Sequence, residues 1–143
     1  MTSRLTCVSP IDGEIFAERP ALAPAEAEAA VAGARAAQGS WAARPLEERI
    51  ALVQAGVARL GAMNDDVVPE LARMMGRPVR YGGEFGGVKE RADHMASIAE
   101  SALAPREIEA SDRFIRRIRR EPQGVVLVIA PWNYPYMTAI NTV

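Results

Sequence analysis

The chain has 143 residues, the size of one ordinary domain. Its 49% hydrophobic and 24% charged residues match a folded globular protein and exclude a disordered one. A formal net charge of −1 provides no overall field for nucleic acid or membrane, and no apolar run approaches the roughly 18 residues that span a bilayer.

The first ten residues, MTSRLTCVSP, contain Arg4 but no apolar stretch of the secretory kind. Cys7 is the single cysteine, so no internal disulfide can form and a reducing, cytoplasmic setting is expected. Residues 4–19 predict a hairpin. Leu5 to Val8 run out, Ser9-Pro10-Ile11-Asp12-Gly13 turn, and Glu14-Ile15-Phe16 return, with Asp-Gly supplying the positive φ of a tight turn. Pro24 suits the first turn of a helix, where its missing N–H would be unpaired anyway. Glu26 and Glu28 lie near the positive end of that helix, which is expected to close at Gly39.

A second helix starts near Pro45 and places Leu46, Ile50, Val53, Val57 and Leu60 on one stripe, ending at Gly61. Asn64 or Asp65 can cap a third, with Val67, Val68, Leu71, Met74 and Met75 inward. Gly76 and Pro78 stop it. After Tyr81-Gly82-Gly83 a fourth helix turns Val88, Ala92, Met95, Ile98, Ala99 and Leu103 inward and ends before Pro105. Residues 107–121 predict an extended segment in which Phe114, Ile115 and Ile118 sit among arginines. Gly124 to Ala130 is an apolar, β-branched run and predicts a buried strand. Such a strand belongs to a parallel sheet covered on both faces. Parallel neighbours need crossover connections, for which no residues remain after Val143. The fold class is α/β, and the chain is expected to be the opening part of a larger protein.

Several features have bland readings that outweigh functional ones. Gly82-Gly83-Glu84-Phe85-Gly86-Gly87-Val88-Lys89 fails the phosphate-loop pattern, because Glu90 follows Lys89 where Ser or Thr is required. Its glycine pairs instead permit close helix packing. The arginines at 113, 116, 117, 119 and 120 lack a nucleic-acid reader motif and fit a charged edge strand better. His94 is the single histidine and Cys7 the single thiol, so no metal cluster is expected, and Cys7 has no local base to activate it. Asn133 is different. It follows the apolar run at its carboxyl end, where open α/β sheets place ligands. Pro131 and Pro135 restrict the backbone on both sides. Its amide can donate to a developing oxyanion, or it can satisfy its own turn. Both readings stay open.

Glu121-Pro122-Gln123-Gly124-Val125-Val126, followed by Ile129-Ala130-Pro131-Trp132-Asn133-Tyr134-Pro135, resembles the aldehyde dehydrogenase superfamily, with its E-P-x-G-V-V and P-W-N-[FY]-P blocks. Ser9-Pro10, Asp12-Gly13-Glu14, Trp41 with Arg44 and Arg49, and Gly76-Arg77-Pro78 extend the resemblance over nearly the whole chain. It implies NAD- or NADP-dependent oxidation of an aldehyde to a carboxylic acid. In that family a cysteine thiolate attacks the carbonyl, the block's asparagine holds the oxyanion, hydride passes to the nicotinamide, and a glutamate activates water for deacylation.

The resemblance assigns the oxyanion role to Asn133 and the cofactor wall to Ile129, Ala130, Pro131 and Trp132. It makes residues 1–143 the amino-terminal part of a Rossmann-like nucleotide-binding domain and residues 107–121 an oligomerisation arm of a homo-oligomer. The family's nucleophile, its glutamate and its adenine-ribose strand all lie beyond the P-W-N-Y-P block, and this sequence contains no counterpart of them. The 143 residues alone are therefore expected to be inactive. A non-catalytic association module and an independent helical domain are the alternative readings.

Overall fold

Asp12-Gly13 reverses the chain as its residue types require. In the computed structural model, which describes residues 3–143, β1 (Arg4–Val8) pairs antiparallel with β2 (Ile15–Pro20). Met1 and Thr2, which open the stretch read as free of a leader signal, lie outside the described residues. Leu5 faces Arg19, Cys7 faces Ala17, and the register shifts between Cys7 and Val8. Gly13 adopts a φ of 76°, a conformation that glycine takes without steric cost. Asp12 Oδ1 accepts the Glu14 N–H at 3.1 Å, and the Ser9 carbonyl accepts the Gly13 N–H at 2.9 Å.

Four helices follow: α1 (Pro24–Ala42), α2 (Leu46–Ala62), α3 (Asn64–Met75) and α4 (Phe85–Leu103). Gly39 and Gly61 do not end α1 and α2, which continue to Ala42 and Ala62. A glycine inside a helix costs only about 1 kcal/mol relative to alanine, too little to stop a helix whose next residues continue it. Neither Asn64 nor Asp65 caps α3. Met63 alone joins α2 to α3 and occupies the cap position, so both polar residues fall inside the helix. Gly76 does end α3, at a φ of 77°, with its N–H donated to the Ala72 carbonyl at 2.9 Å.

Val57 of α2 packs with Val88 and Ala92 of α4, and Leu60, Phe85, Tyr136, Met137 and Ile140 close around them. Val67, Leu71 and Ala72 are the buried residues of α3. Glycines allow the close approaches. A Cβ on Gly61 would overlap the Phe85 ring, and one on Gly83 would lie 2.7 Å from Asn64 Oδ1. Gly82 and Gly86 have open space where a Cβ would stand, so only the second glycine pair, Gly83 and Gly87, serves packing.

The inward faces predicted for α3 and α4 are only partly covered. Met74, Met95, Ile98 and Leu103 remain 42%, 50%, 37% and 47% exposed. A groove between α2 and α4, lined by Trp41, Ile50, Val53, Met95, Ala99 and Val143, leaves part of the apolar stripe open. The accessible surface is 11,051 Å² for 15.4 kDa, whereas a compact monomer of that mass exposes about 7,200 Å².

Two expectations for the second half need correction. Residues 107–121 are not one extended segment. A hairpin of β3 (Arg106–Ala110) and β4 (Ile115–Ile118) begins one residue earlier and folds the segment back on itself, with Glu109 opposite Arg116 and joined to it by an ion pair of 3.0 Å. Ser111 makes the turn, since its hydroxyl accepts the N–H groups of Arg113 and Phe114, each at 3.3 Å. The run Gly124–Ala130 is not a buried strand. Leu127 and Ile129 are 83% and 85% exposed, and among the described residues no strand pairs with the run. A strand exists through its ladder, and this run has the composition without a neighbour. After it, α5 (Pro135–Ala139) begins inside the block read as a turn. Pro135 at its first position explains why, because proline lacks the N–H that would be unpaired there.

Candidate active site

Pro131, Trp132 and Asn133 lead into α5, with Tyr134 in the cap position at φ −144° and ψ 60°. A helix start leaves N–H groups unpaired, and Tyr134 provides no side-chain cap. The carboxylate of Glu84, just before α4, supplies the acceptor from across the fold. Its Oε2 accepts the Met137 N–H at 2.7 Å. Its other oxygen, Oε1, accepts from Arg77 Nη1 at 3.1 Å, and the two side chains are only 2% and 12% exposed.

Arg77 uses its second arm on the same turn. Nη2 donates to the Asn133 carbonyl at 2.5 Å, and the guanidinium lies 4.8 Å from the centre of the Tyr134 ring. The backbone of Asn133 is therefore gripped, while its side chain is exposed. Among the described residues, the Asn133 carboxamide has no hydrogen-bond partner. An asparagine serving its own turn would use that amide locally. This one does not.

The residues assigned to a cofactor wall sit immediately before this turn. Ile129 and Trp132 are 85% and 73% exposed, and Ala130 is half-buried. They offer open apolar and ring surface, which fits one wall of a site for a flat nicotinamide ring. Cys7 lies elsewhere, in β1 opposite Ala17, with its thiol donating weakly to the Met74 carbonyl at 3.9 Å. His94 is exposed on α4. Among the described residues, no three His, Cys, Asp or Glu side chains gather to hold a metal ion, and no helix is long and apolar enough to cross a membrane.

Motifs that are distant in sequence meet at this site. The β1–β2 turn docks on the end of α3, where Arg73 pairs with Asp12 at 3.3 Å and Pro10 lies 3.2 Å from where a Gly76 Cβ would stand. Gly76 then turns the chain so that Arg77 reaches Glu84 and Asn133. The Glu14 N–H, more than any other group, holds the Asp12 carboxyl below its usual range, and Arg73 adds to the effect. Burial pushes the Tyr136 phenol up, and the carboxylates of Glu70 and Glu84 push in the same direction.

The family model described as the aldehyde dehydrogenase family matches residues 1–143. The chain belongs to the aldehyde dehydrogenase family. It is 31% identical to the 5-carboxymethyl-2-hydroxymuconate semialdehyde dehydrogenase of Escherichia coli, over 92% of this chain and 28% of that relative. Its fold matches a crystal structure of an NAD-dependent benzaldehyde dehydrogenase from Corynebacterium glutamicum with a TM-score of 0.86 at 26% identity, covering 96% of this chain and 30% of the other. It also matches an NADP-dependent glyceraldehyde-3-phosphate dehydrogenase from Bacillus halodurans, crystallised with NADP, with a TM-score of 0.81 at 30% identity and the same coverages, 96% and 30%. The chain thus spans under a third of the length of the relatives it matches. The match corresponds to the amino-terminal, nucleotide-binding region of an α/β enzyme, which sets aside the reading as an unrelated helical domain.

Sequence reasoning singles out Asn133 and passes over Glu84. That residue was read only as the acid inside a glycine-rich stretch. One available signal was a carboxylate directly before a helix whose partner cation, Arg77, lies in a family-like Gly-Arg-Pro motif seven residues earlier.

Proposed function

We propose that this chain supplies the oxyanion donor and one wall of the cofactor site of an NAD- or NADP-dependent aldehyde dehydrogenase. Asn133 is the donor, and Ile129, Ala130, Pro131 and Trp132 form the wall. The observation that carries this reading is the state of Asn133: its backbone is gripped by Arg77 while its carboxamide is exposed and unpartnered among the described residues. A hold on the backbone limits how far the donor must reorganise as charge develops, which favours oxyanion stabilisation.

When a thiolate adds to an aldehyde, the carbonyl oxygen becomes negative, and the Asn133 N–H₂ group stabilises it more than it stabilises the neutral carbonyl. A nicotinamide cofactor held against Ile129, Ala130, Pro131 and Trp132 would supply the hydride acceptor. Trp132 and Ile129 limit water on one side of that site through their ring and aliphatic surfaces. Neither the thiolate nor the deacylating base comes from these residues, since Cys7 has no base beside it. We assign the β3–β4 hairpin, exposed at every residue and carrying outward Ile108, Ile115 and Ile118, to subunit association in a homo-oligomer.

A hybrid tests this reading. Residues 1–143 replace the matching part of the C. glutamicum benzaldehyde dehydrogenase, and NADH formation from benzaldehyde is followed. The hybrid is expected to turn over and the 143-residue chain alone to be inert. Turnover by the chain alone that disappears in Cys7→Ala would refute the assignment.

A further inference from the structure

We infer that Arg77 and Glu84 are positioning residues for Asn133, an inference that rests on the oxyanion reading above. Two points hold the backbone on the carboxyl side of Asn133, its own carbonyl and the Met137 N–H. Both are held by the same pair. Arg77 Nη2 takes the carbonyl at 2.5 Å, Glu84 Oε2 takes the N–H at 2.7 Å, and the remaining arm and oxygen of the two groups join at 3.1 Å. Fixing the peptide plane after Asn133 and the start of α5 narrows the directions in which the Asn133 Cα–Cβ bond can leave the chain.

The elements around this turn cannot fix it alone. α5 has five residues, far fewer than an isolated helix needs in water. The run before the turn, Gly124–Ala130, has no strand neighbour among the described residues. The pair is nearly free of solvent, at 12% and 2% exposure, so water does not compete for its bonds. Its chemistry suits the task as well. A guanidinium presents two parallel donors in a rigid fork, one for Glu84 and one for Asn133, whereas a lysine is a single point charge. Tyr134 lies against the guanidinium face and opposes its rotation.

The test compares Asn133→Ala, Arg77→Lys and the double variant in the hybrid enzyme, by the pre-steady-state burst, NAD affinity and Tm. Hydrogen exchange at the Met137 amide is measured in the 143-residue chain at low concentration. Arg77→Lys keeps the charge opposite Glu84 and so preserves the fold. It is expected to slow the burst about tenfold to a hundredfold, the scale of a misplaced group near 1 Å, with NAD affinity unchanged and Met137 exchange faster. The double variant is expected to be no slower than Asn133→Ala, since a residue acting through another adds nothing once the second is gone. A normal burst in Arg77→Lys beside a slow Asn133→Ala overturns this inference and leaves the oxyanion reading standing. Additive losses in the double variant overturn it as well. A normal burst in Asn133→Ala removes both.

Discussion

The carboxylate of Glu84 fastens α4 to α5 by accepting the Met137 N–H at 2.7 Å, while its other oxygen holds Arg77. Two buried charged groups are costly out of water unless each satisfies the other and their remaining donors and acceptors are used. Here they are used on the segment that carries Asn133.

Removing one member should be severe. Glu84→Ala leaves the largely covered Arg77 guanidinium opposite no charge and the Met137 N–H without its acceptor, a loss of up to about 3–5 kcal/mol. Glu84→Gln keeps an amide oxygen for Met137 and should lose clearly less. Thermal melting of the two variants beside the parent chain checks the order, and equal melting temperatures would mean that the pair is dispensable.

The Asp12 carboxyl should titrate below its ordinary value of 3.8, chiefly because the Glu14 N–H bonds to the charged form. A lowered carboxyl contributes stability above its unfolded-state value and loses it as pH falls through the folded one. The β1–β2 turn should therefore lose stability only in the acid window that opens near 3.8 and extends downward. An NMR titration of Asp12 reads this directly. In Arg73→Gln the carboxyl should remain lowered, because the larger cause is local; a return to the ordinary value would assign the shift to Arg73 instead.

Glycines inside helices should divide by what stands over them. Gly33 in α1 has nothing within 4 Å of a built Cβ, so Gly33→Ala should stabilise by roughly 0.4–1 kcal/mol. Gly61→Ala should destabilise, because its methyl group would enter the space of the Phe85 ring beside the core. Urea midpoints of opposite sign are the expected result.

The 143-residue chain alone should associate. It exposes 11,051 Å² and presents Val126, Leu127 and Ile129 at 55%, 83% and 85% exposure in an unpaired run. Unpaired β-branched segments of this kind pair with other chains. Light scattering across a concentration series should show mass rising with concentration. A monodisperse monomer at high concentration would contradict this.

Much of the fold is legible in the sequence because it rests on local signals. Spacings of three and four mark α2 to α4, Asp12-Gly13 marks the first hairpin, and Gly76 marks the end of α3. The run Gly124–Ala130 reads as a strand because composition reports what a segment can pair with, and pairing itself needs a neighbour. α5 and the Ser111 turn are short and lack enough residues for a period. Asn133 is visible because its two prolines single it out, whereas Glu84 acts through a helix fifty-three residues away, which no local pattern encodes.

In the proposed role, Asn133 stabilises charge that develops only during reaction. Losing one such donor typically costs about 10²–10³ in rate. In the hybrid enzyme, the NADH burst of Asn133→Ala should fall by that factor while NAD affinity and Tm stay near those of the parent. A burst of normal rate in a protein with a lowered Tm would contradict the account and leave Asn133 as a residue of the turn.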